Sequence, residues 1–174
     1  MGGPLCPDGK DLLLLTLLQD NAELSLSEIG KQLGLTRMAI SNRMKRLKVT
    51  GVIEGSHYRV DPRKVGQGYL VVCQVTCSAP GPSQEKVASR IAKIPGVQIV
   101  YLTFGPYDIL MIARRRNLQS AKDMLYEVTQ IPGVKNTLTT VPHTVVKESL
   151  EVNLGAYRGE KPRDINLAAD LHAV

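Results

Sequence analysis

The sequence has no run of about eighteen apolar residues, the length a helix needs to cross a bilayer. Its most hydrophobic stretch, DLLLLTLLQD at residues 11–20, is too short to span, and it has neither the basic lead nor the small-residue cleavage site of an export signal. No membrane partner is expected, and a cytoplasmic location follows. Cysteine is scarce: Cys6, Cys73 and Cys77 are odd in number and lack metal-ligand spacing, which excludes a disulfide framework. On one strand Cys73 and Cys77 would stand roughly 13 Å apart, too far to bond each other. Nucleophile-base constellations, zinc spacings and phosphate-cradling glycine loops are also missing. Neither a catalytic site nor a cofactor nor a metal is expected.

What is present is a basic chain of 174 residues with a formal charge of +6, a balance that suits a polyanionic partner. The charge is concentrated. Leucines over residues 12–18 predict a helix that ends in the polar QDNAE. Ser25 and Glu28 have the S-x-x-E spacing of a capping box, and Leu24 and Ile29 that of a hydrophobic staple, so a second helix starts at Ser25 and stops at Gly34. Thr36 caps a third, whose Ile40, Met44 and Leu47 form one buried face. Two helices joined by Gly34-Leu35-Thr36 make a helix-turn-helix.

The third helix carries Arg37, Arg43, Lys45, Arg46 and Lys48 and no acidic residue. At about 100° per residue, the stripe opposite its buried face holds Met38, Asn42, Lys45 and Val49, with Ser41 on the flank. Such side chains suit a DNA groove: Asn42 for adenine, Lys45 for guanine acceptors, Ser41 for either base, Met38 for a thymine methyl. Thr36, Arg37, Arg43, Arg46 and Lys48 suit phosphates. A basic face that is merely solvated is the alternative, and the capped helix and glycine turn before it favour DNA. After Gly51, VIEGSHYRVDPRKVG predicts a wing or linker strand with turns at Gly55 and Asp61-Pro62. His57 and Arg59 lie there, near a DNA backbone or simply at the surface.

The tetrapeptide IPGV occurs at residues 94–97 and again at 131–134. Val87, Ile91 and Ile94 precede the first copy at helical spacing, and Met124, Val128 and Ile131 precede the second. Extended runs flank each helix: YLVVCQVTC and VQIVYLT, then DILMIARR and VKNTLTT. These are two β-α-β units in tandem, with each Pro-Gly pair turning the chain from helix into strand. The order βαββαβ predicts an α+β, ferredoxin-like domain, a four-stranded antiparallel sheet with both helices on one face. The strand ILMIA is apolar on both faces, and Val97, Ile99 and Tyr101 alternate with Val100 and Leu102. The uncovered face expects a second copy of the chain as its lid, and a dimer suits a helix-turn-helix that reads two half-sites. Arg114-Arg115-Arg116 is expected to be a solvated turn after a strand end, or an aid to DNA wrapping or assembly.

The stretch LSLSEIGKQLGLTRMAISNRMKRLKVTGVIEGSHYRVDPRKVG resembles the DNA-binding half of the Lrp/AsnC (feast/famine, leucine-responsive) transcription regulators. IPGV before a strand and FGPYDILMIA at the sheet hairpin resemble their effector-binding domain, and the likeness covers about residues 10–150. It implies a winged helix-turn-helix ahead of the sheet domain, a homodimer that often builds octamers, double-stranded DNA as partner and an amino acid as effector. It further implies that Thr103, Phe104, Gly105, Pro106, Tyr107 and Asp108 lie at the effector pocket, where backbone near Gly105 and the Asp108 carboxylate meet the ligand's charged ends. Alternatively Gly105 and Pro106 make the turn and Asp108 caps it. The expected division is 1–60 for DNA binding, 61–68 as linker, 69–150 for effector and assembly, and 151–174 as a C-terminal extension that is either mobile or has Ile165, Ala168 and Leu171 lining a short docked helix. Sirohaem decarboxylases resemble the same architecture and offer an enzymatic alternative. This chain has IEGSHYR where they have an Arg-Arg-Phe-Gly-Ala segment, and its only histidines are His57, His143 and His172.

Overall fold

The computed structural model describes residues 6–156, so the helix expected around Ile165 lies outside the described residues. The described chain forms two compact units. One comprises the N-terminal residues to Tyr58 with the segment from Ser149, and the other is Arg59–Glu148.

The first unit holds helices α1 (Gly9–Asp20), α2 (Leu26–Leu33) and α3 (Arg37–Val49). Each begins at a side-chain cap. Asp8 accepts from the Asp11 amide at 2.8 Å while the Asp11 carboxylate accepts from the Asp8 amide at 2.9 Å. Ser25 and Glu28 make the same reciprocal pair at 3.2 and 2.8 Å. Each pair satisfies two amides that a helix start leaves without partners. Those bonds to Ser25 hold the Glu28 carboxyl below its usual value. α2 ends at Gly34, whose φ of 63° is left-handed. Such a glycine cap is a common helix stop. Lys10 donates to the freed Leu33 carbonyl at 2.5 Å. Leu14, Ile29, Leu33, Ile40 and Leu47 form the core between the three helices. The described residues 149–156 pack on this unit: the Val152 amide donates to Gln19 Oε1 at 2.8 Å and its carbonyl accepts from Nε2 at 3.1 Å.

The wing does not form. Residues 53–60 pair with no strand and make no turn at Gly55, whereas Asp61-Pro62 does start a turn, with the Gln67 amide donating to the Pro62 carbonyl at 2.7 Å. Every residue of 54–60 is exposed, so no buried apolar face holds this segment in a hairpin.

The second unit runs β1 (Tyr69–Cys77), α4 (Gln84–Ile91), β2 (Val97–Leu102), β3 (Ile109–Arg115), α5 (Leu118–Thr129) and β4 (Val134–Thr140). The strands order β2-β3-β1-β4, all neighbours antiparallel, so each helix carries the chain across a strand of the other half. Val71, Cys73 and Val75 of β1 and Ile109, Met111 and Ala113 of β3 face Val87, Ile91, Met124 and Val128 of the helices. Full burial of each large aliphatic side chain contributes about 1.5–3 kcal/mol. The two IPGV corners are equivalent, with Gly96 at φ 84° and Gly133 at φ 101°. A Cβ on Gly96 would sit 2.6 Å from the Arg114 carbonyl oxygen, and one on Gly133 would sit 2.9 Å from Val87 Cγ2. Both positions therefore demand glycine for conformation and for space.

Two expectations change here. A register shift between Val97 and Ile99 places Val97 beside Ala113 in the core, while Ile99 and Tyr101 stand opposite Ile112 and Leu110 on the other face. Alternation alone groups all three. The triple arginine is not a solvated turn either: β3 continues to Arg115, Arg114 is 7% exposed, and only Arg116 is exposed. Neither Cys73 nor Cys77, both on β1, is in a disulfide, and burial pushes both thiols up.

Candidate nucleic-acid interface

On α3, Ile40 and Leu47 are buried against the three-helix core, with Met44 packed beside them. That orientation leaves Met38 at 69% and Val49 at 87% exposure, with Asn42 and Lys45 also exposed and Ser41 half-buried on the flank. The stripe is continuous over three turns. Arg37 and Lys48 lie exposed beside it, and among the described residues Arg37, Lys45 and Lys48 form no ion pair. Thr36 Oγ1 accepts from the Ala39 amide at 3.2 Å. That bond starts the helix and leaves the Thr36 O–H unused among the described residues.

Arg43 and Arg46 behave differently. Arg43 donates to Asp8 and Asp11, both at 2.7 Å, and Arg46 donates to the second Asp11 oxygen. The Asp11 carboxylate has no exposure and is clamped between two guanidiniums of the recognition helix. Arg43 holds the Asp8 carboxyl below the usual carboxylate range, and the two acids raise the Arg43 guanidinium in turn. These arginines, expected on phosphates, thus fix α3 to α1. The acids that hold them sit on another helix, a tertiary pairing that the charge of α3 alone could not reveal. One local signal existed, since Asp8 and Asp11 have capping-box spacing ahead of the leucine run.

The β2–β3 hairpin, residues 103–108, is braced from within. Thr103 Oγ1 donates to the Tyr107 carbonyl at 2.6 Å and the Asp108 amide donates to the Val75 carbonyl at 3.0 Å. The Asp108 carboxylate accepts from the Cys77 amide at 2.6 Å and from Gln84 Nε2 at 2.5 Å. Both of its oxygens are therefore engaged by the end of β1 and the start of α4. Phe104, Gly105 and Pro106 project, with Phe104 74% exposed. His57 and His143 are both exposed and stand in separate segments, and the described residues hold no cluster of three metal-ligating side chains.

A capped helix-turn-helix that presents a cationic stripe, followed by a ferredoxin-like sheet, defines a DNA-binding regulator with a ligand-sensing type of second domain. The family model described as AsnC-type helix-turn-helix domain matches residues 8–48, and that of the Lrp/AsnC ligand binding domain matches residues 70–152. The chain is 34% identical over 134 residues to the HTH-type transcriptional regulator LysM of Saccharolobus solfataricus, covering 77% of this chain and 92% of that protein. It is 32% identical over 145 residues to the HTH-type transcriptional regulator FL11 of Pyrococcus horikoshii, covering 83% and 95%. A transcriptional regulator from Neisseria meningitidis, solved as its L-Met complex, shares the fold with a TM-score of 0.79 at 20% identity, covering 84% of this chain and 96% of that one. The chain belongs to the Lrp/AsnC family of transcriptional regulators. It is a DNA-binding regulator and not an enzyme, which sets aside the sirohaem-decarboxylase reading.

Proposed function

We propose that this regulator reads double-stranded DNA through Met38, Ser41, Asn42 and Lys45, and grips flanking phosphates through Thr36, Arg37 and Lys48. In this reading Arg43 and Arg46 orient the helix and only secondarily touch the backbone. The observation that carries it is the exposed stripe, free of ion pairs among the described residues, on a helix whose opposite face is locked into a core. It acts as a homodimer, in which the sheet face bearing Val72, Leu110, Ile112, Ile99, Tyr101 and Leu138 is covered by a second copy. Both helices lie on the other face, so among the described residues of the sheet unit this one has no second layer. Tyr101 and Leu138 stand exposed there at 53% and 51%. An apolar sheet face of that kind calls for a second layer. Further assembly of dimers into an octamer is part of the same proposal.

An amino acid serves as effector, contacting the hairpin of Thr103, Phe104, Gly105, Pro106, Tyr107 and Asp108. Two structural relatives solved with L-methionine, the Neisseria protein and a feast or famine regulatory protein from M. tuberculosis, support that ligand class. Since both Asp108 oxygens already accept hydrogen bonds, Asp108 shapes the hairpin, and backbone groups around Gly105 meet the ligand.

A mobility-shift titration against the DNA upstream of the protein's own gene, at two salt concentrations, tests the DNA reading. Site-preferring complexes weakened by salt are expected. Equal affinity for unrelated duplexes at low salt would overturn it.

A further inference from the structure

At the end of β2 and β3 opposite the hairpin, about 20 Å from it along six strand residues, lies a shallow cleft of about 380 Å³. Its walls are Val60 and Val65 of the segment before β1, Gly96 and Gln98 at the start of β2, and Arg114 and Arg115 at the end of β3. Arg115 is committed to the scaffold, donating to the Pro95 carbonyl at 2.5 Å and to the Ser120 carbonyl at 3.1 Å. Arg114 is not. Its side chain is 8% exposed and makes a single hydrogen bond among the described residues, to Glu148 Oε2. A guanidinium has five N–H donors. One that is buried with donors to spare is a strong recognition group for a planar anion.

We infer that this cleft binds a small aliphatic carboxylate, whose carboxylate takes the position on Arg114 that Glu148 occupies in the free protein. Glu148 is a built-in competitor: its side chain is 47% exposed and can swing into water, whereas Arg114 cannot follow. Val60 and Val65, exposed at 60% and 57%, supply apolar walls for a short branched body. Apart from Glu148, which moves out to water when displaced, no carboxylate stands at the cleft, so an amino acid's ammonium has no fixed partner there and a simple acid binds better than the corresponding amino acid. This separates the cleft from the hairpin by chemistry as well as by distance. Glu148 is also the last residue of the sheet unit, and its carbonyl accepts from Arg59, the first, at 2.9 Å.

Thermal unfolding of the full chain with isovalerate, isovaleramide or L-valine, at matched ionic strength, tests the inference, because a ligand of the folded state raises the melting point in proportion to its binding. Isovalerate is expected to stabilise, isovaleramide not at all, and valine less than isovalerate. Glu148→Gln removes the competing charge and should give the same shift at roughly fivefold lower isovalerate concentration, the scale of a half-exposed ion pair. Val65→Asp, at a position 57% exposed, should abolish the shift. An equal response to isovaleramide, no response to isovalerate in either wild type or Glu148→Gln, an unchanged midpoint in Glu148→Gln, or an undiminished response in Val65→Asp would each overturn it.

Discussion

Asp11 is a carboxylate without solvent exposure, held by two guanidiniums from another helix and by the Asp8 amide. Removing one member of a buried ionic cluster costs about 3–5 kcal/mol when the remaining charge stays buried. Here Arg43 and Arg46 are 24% and 37% exposed and can turn to water. Asp11→Ala should therefore cost about 2 kcal/mol, read by urea denaturation. The pH dependence has a definite sign. Bonded to Arg43, Asp8 has a folded value below its ordinary 3.8. A depressed carboxylate stabilises the fold above its unfolded value and loses that contribution as pH falls through the folded one. Acid titration of the native state should therefore show a loss of stability below about pH 4 that Asp8→Asn partly removes; identical acid profiles for both proteins would refute the assignment. At the DNA surface, Asn42→Ala should erase about 1–3 kcal/mol of base discrimination. Lys48→Ala, by contrast, should weaken every sequence alike and lower the salt slope by about 1. Binding isotherms on matched and mutated sites distinguish the two.

At the scale of elements, the turn between α2 and α3 is tighter than its three connecting residues suggest. Gly30 lies inside α2, and a Cβ there would stand 2.6 Å from the Leu35 carbonyl oxygen, whose residue donates its amide to the Gly30 carbonyl at 2.9 Å. Gly30→Ala would push the turn off the helix and should destabilise by more than about 1 kcal/mol, despite alanine's better helix propensity. Thermal melts of the variant provide the check. Much at this scale was legible in the sequence, because caps and corners are local chemistry: Ser25-x-x-Glu28, Thr36, and the two Pro-Gly pairs with apolar residues at helical spacing before them. The strand YLVVCQVTC matches β1 residue for residue. What escaped depends on partners distant in the chain. The bulge after Val97 is set by pairing with β3, the partner of Arg114 is Glu148, and residues 53–60 find no strand to pair with among the described residues. Candidate DNA contacts were legible as a face of α3, but the withdrawal of Arg43 and Arg46 from that face was written on α1.

For the whole molecule, the proposed dimer rests on a sheet with both helices on one side. Leu138→Lys and Tyr101→Lys alter side chains already half exposed in the single chain, so folding should survive while association fails. Sedimentation equilibrium should find the double variant at monomer mass with unchanged circular dichroism; a persistent dimer would move the interface elsewhere. Loss of the dimer should also abolish high-affinity operator binding, because one recognition helix reads only one half-site.

The clamp on Asp11 reaches further than folding. Of the five cations on α3, two are paired with acids at the start of α1, so in the proposed DNA complex Arg37, Lys45 and Lys48 remain to displace counterions. With about 0.9 of an ion released per phosphate contacted, α3 with three free cations sheds fewer counterions than five would allow. If α3 supplies the DNA contacts as proposed, the clamp trims the sequence-independent part of the affinity and leaves the match between Asn42 and its base pairs a larger share of the discrimination.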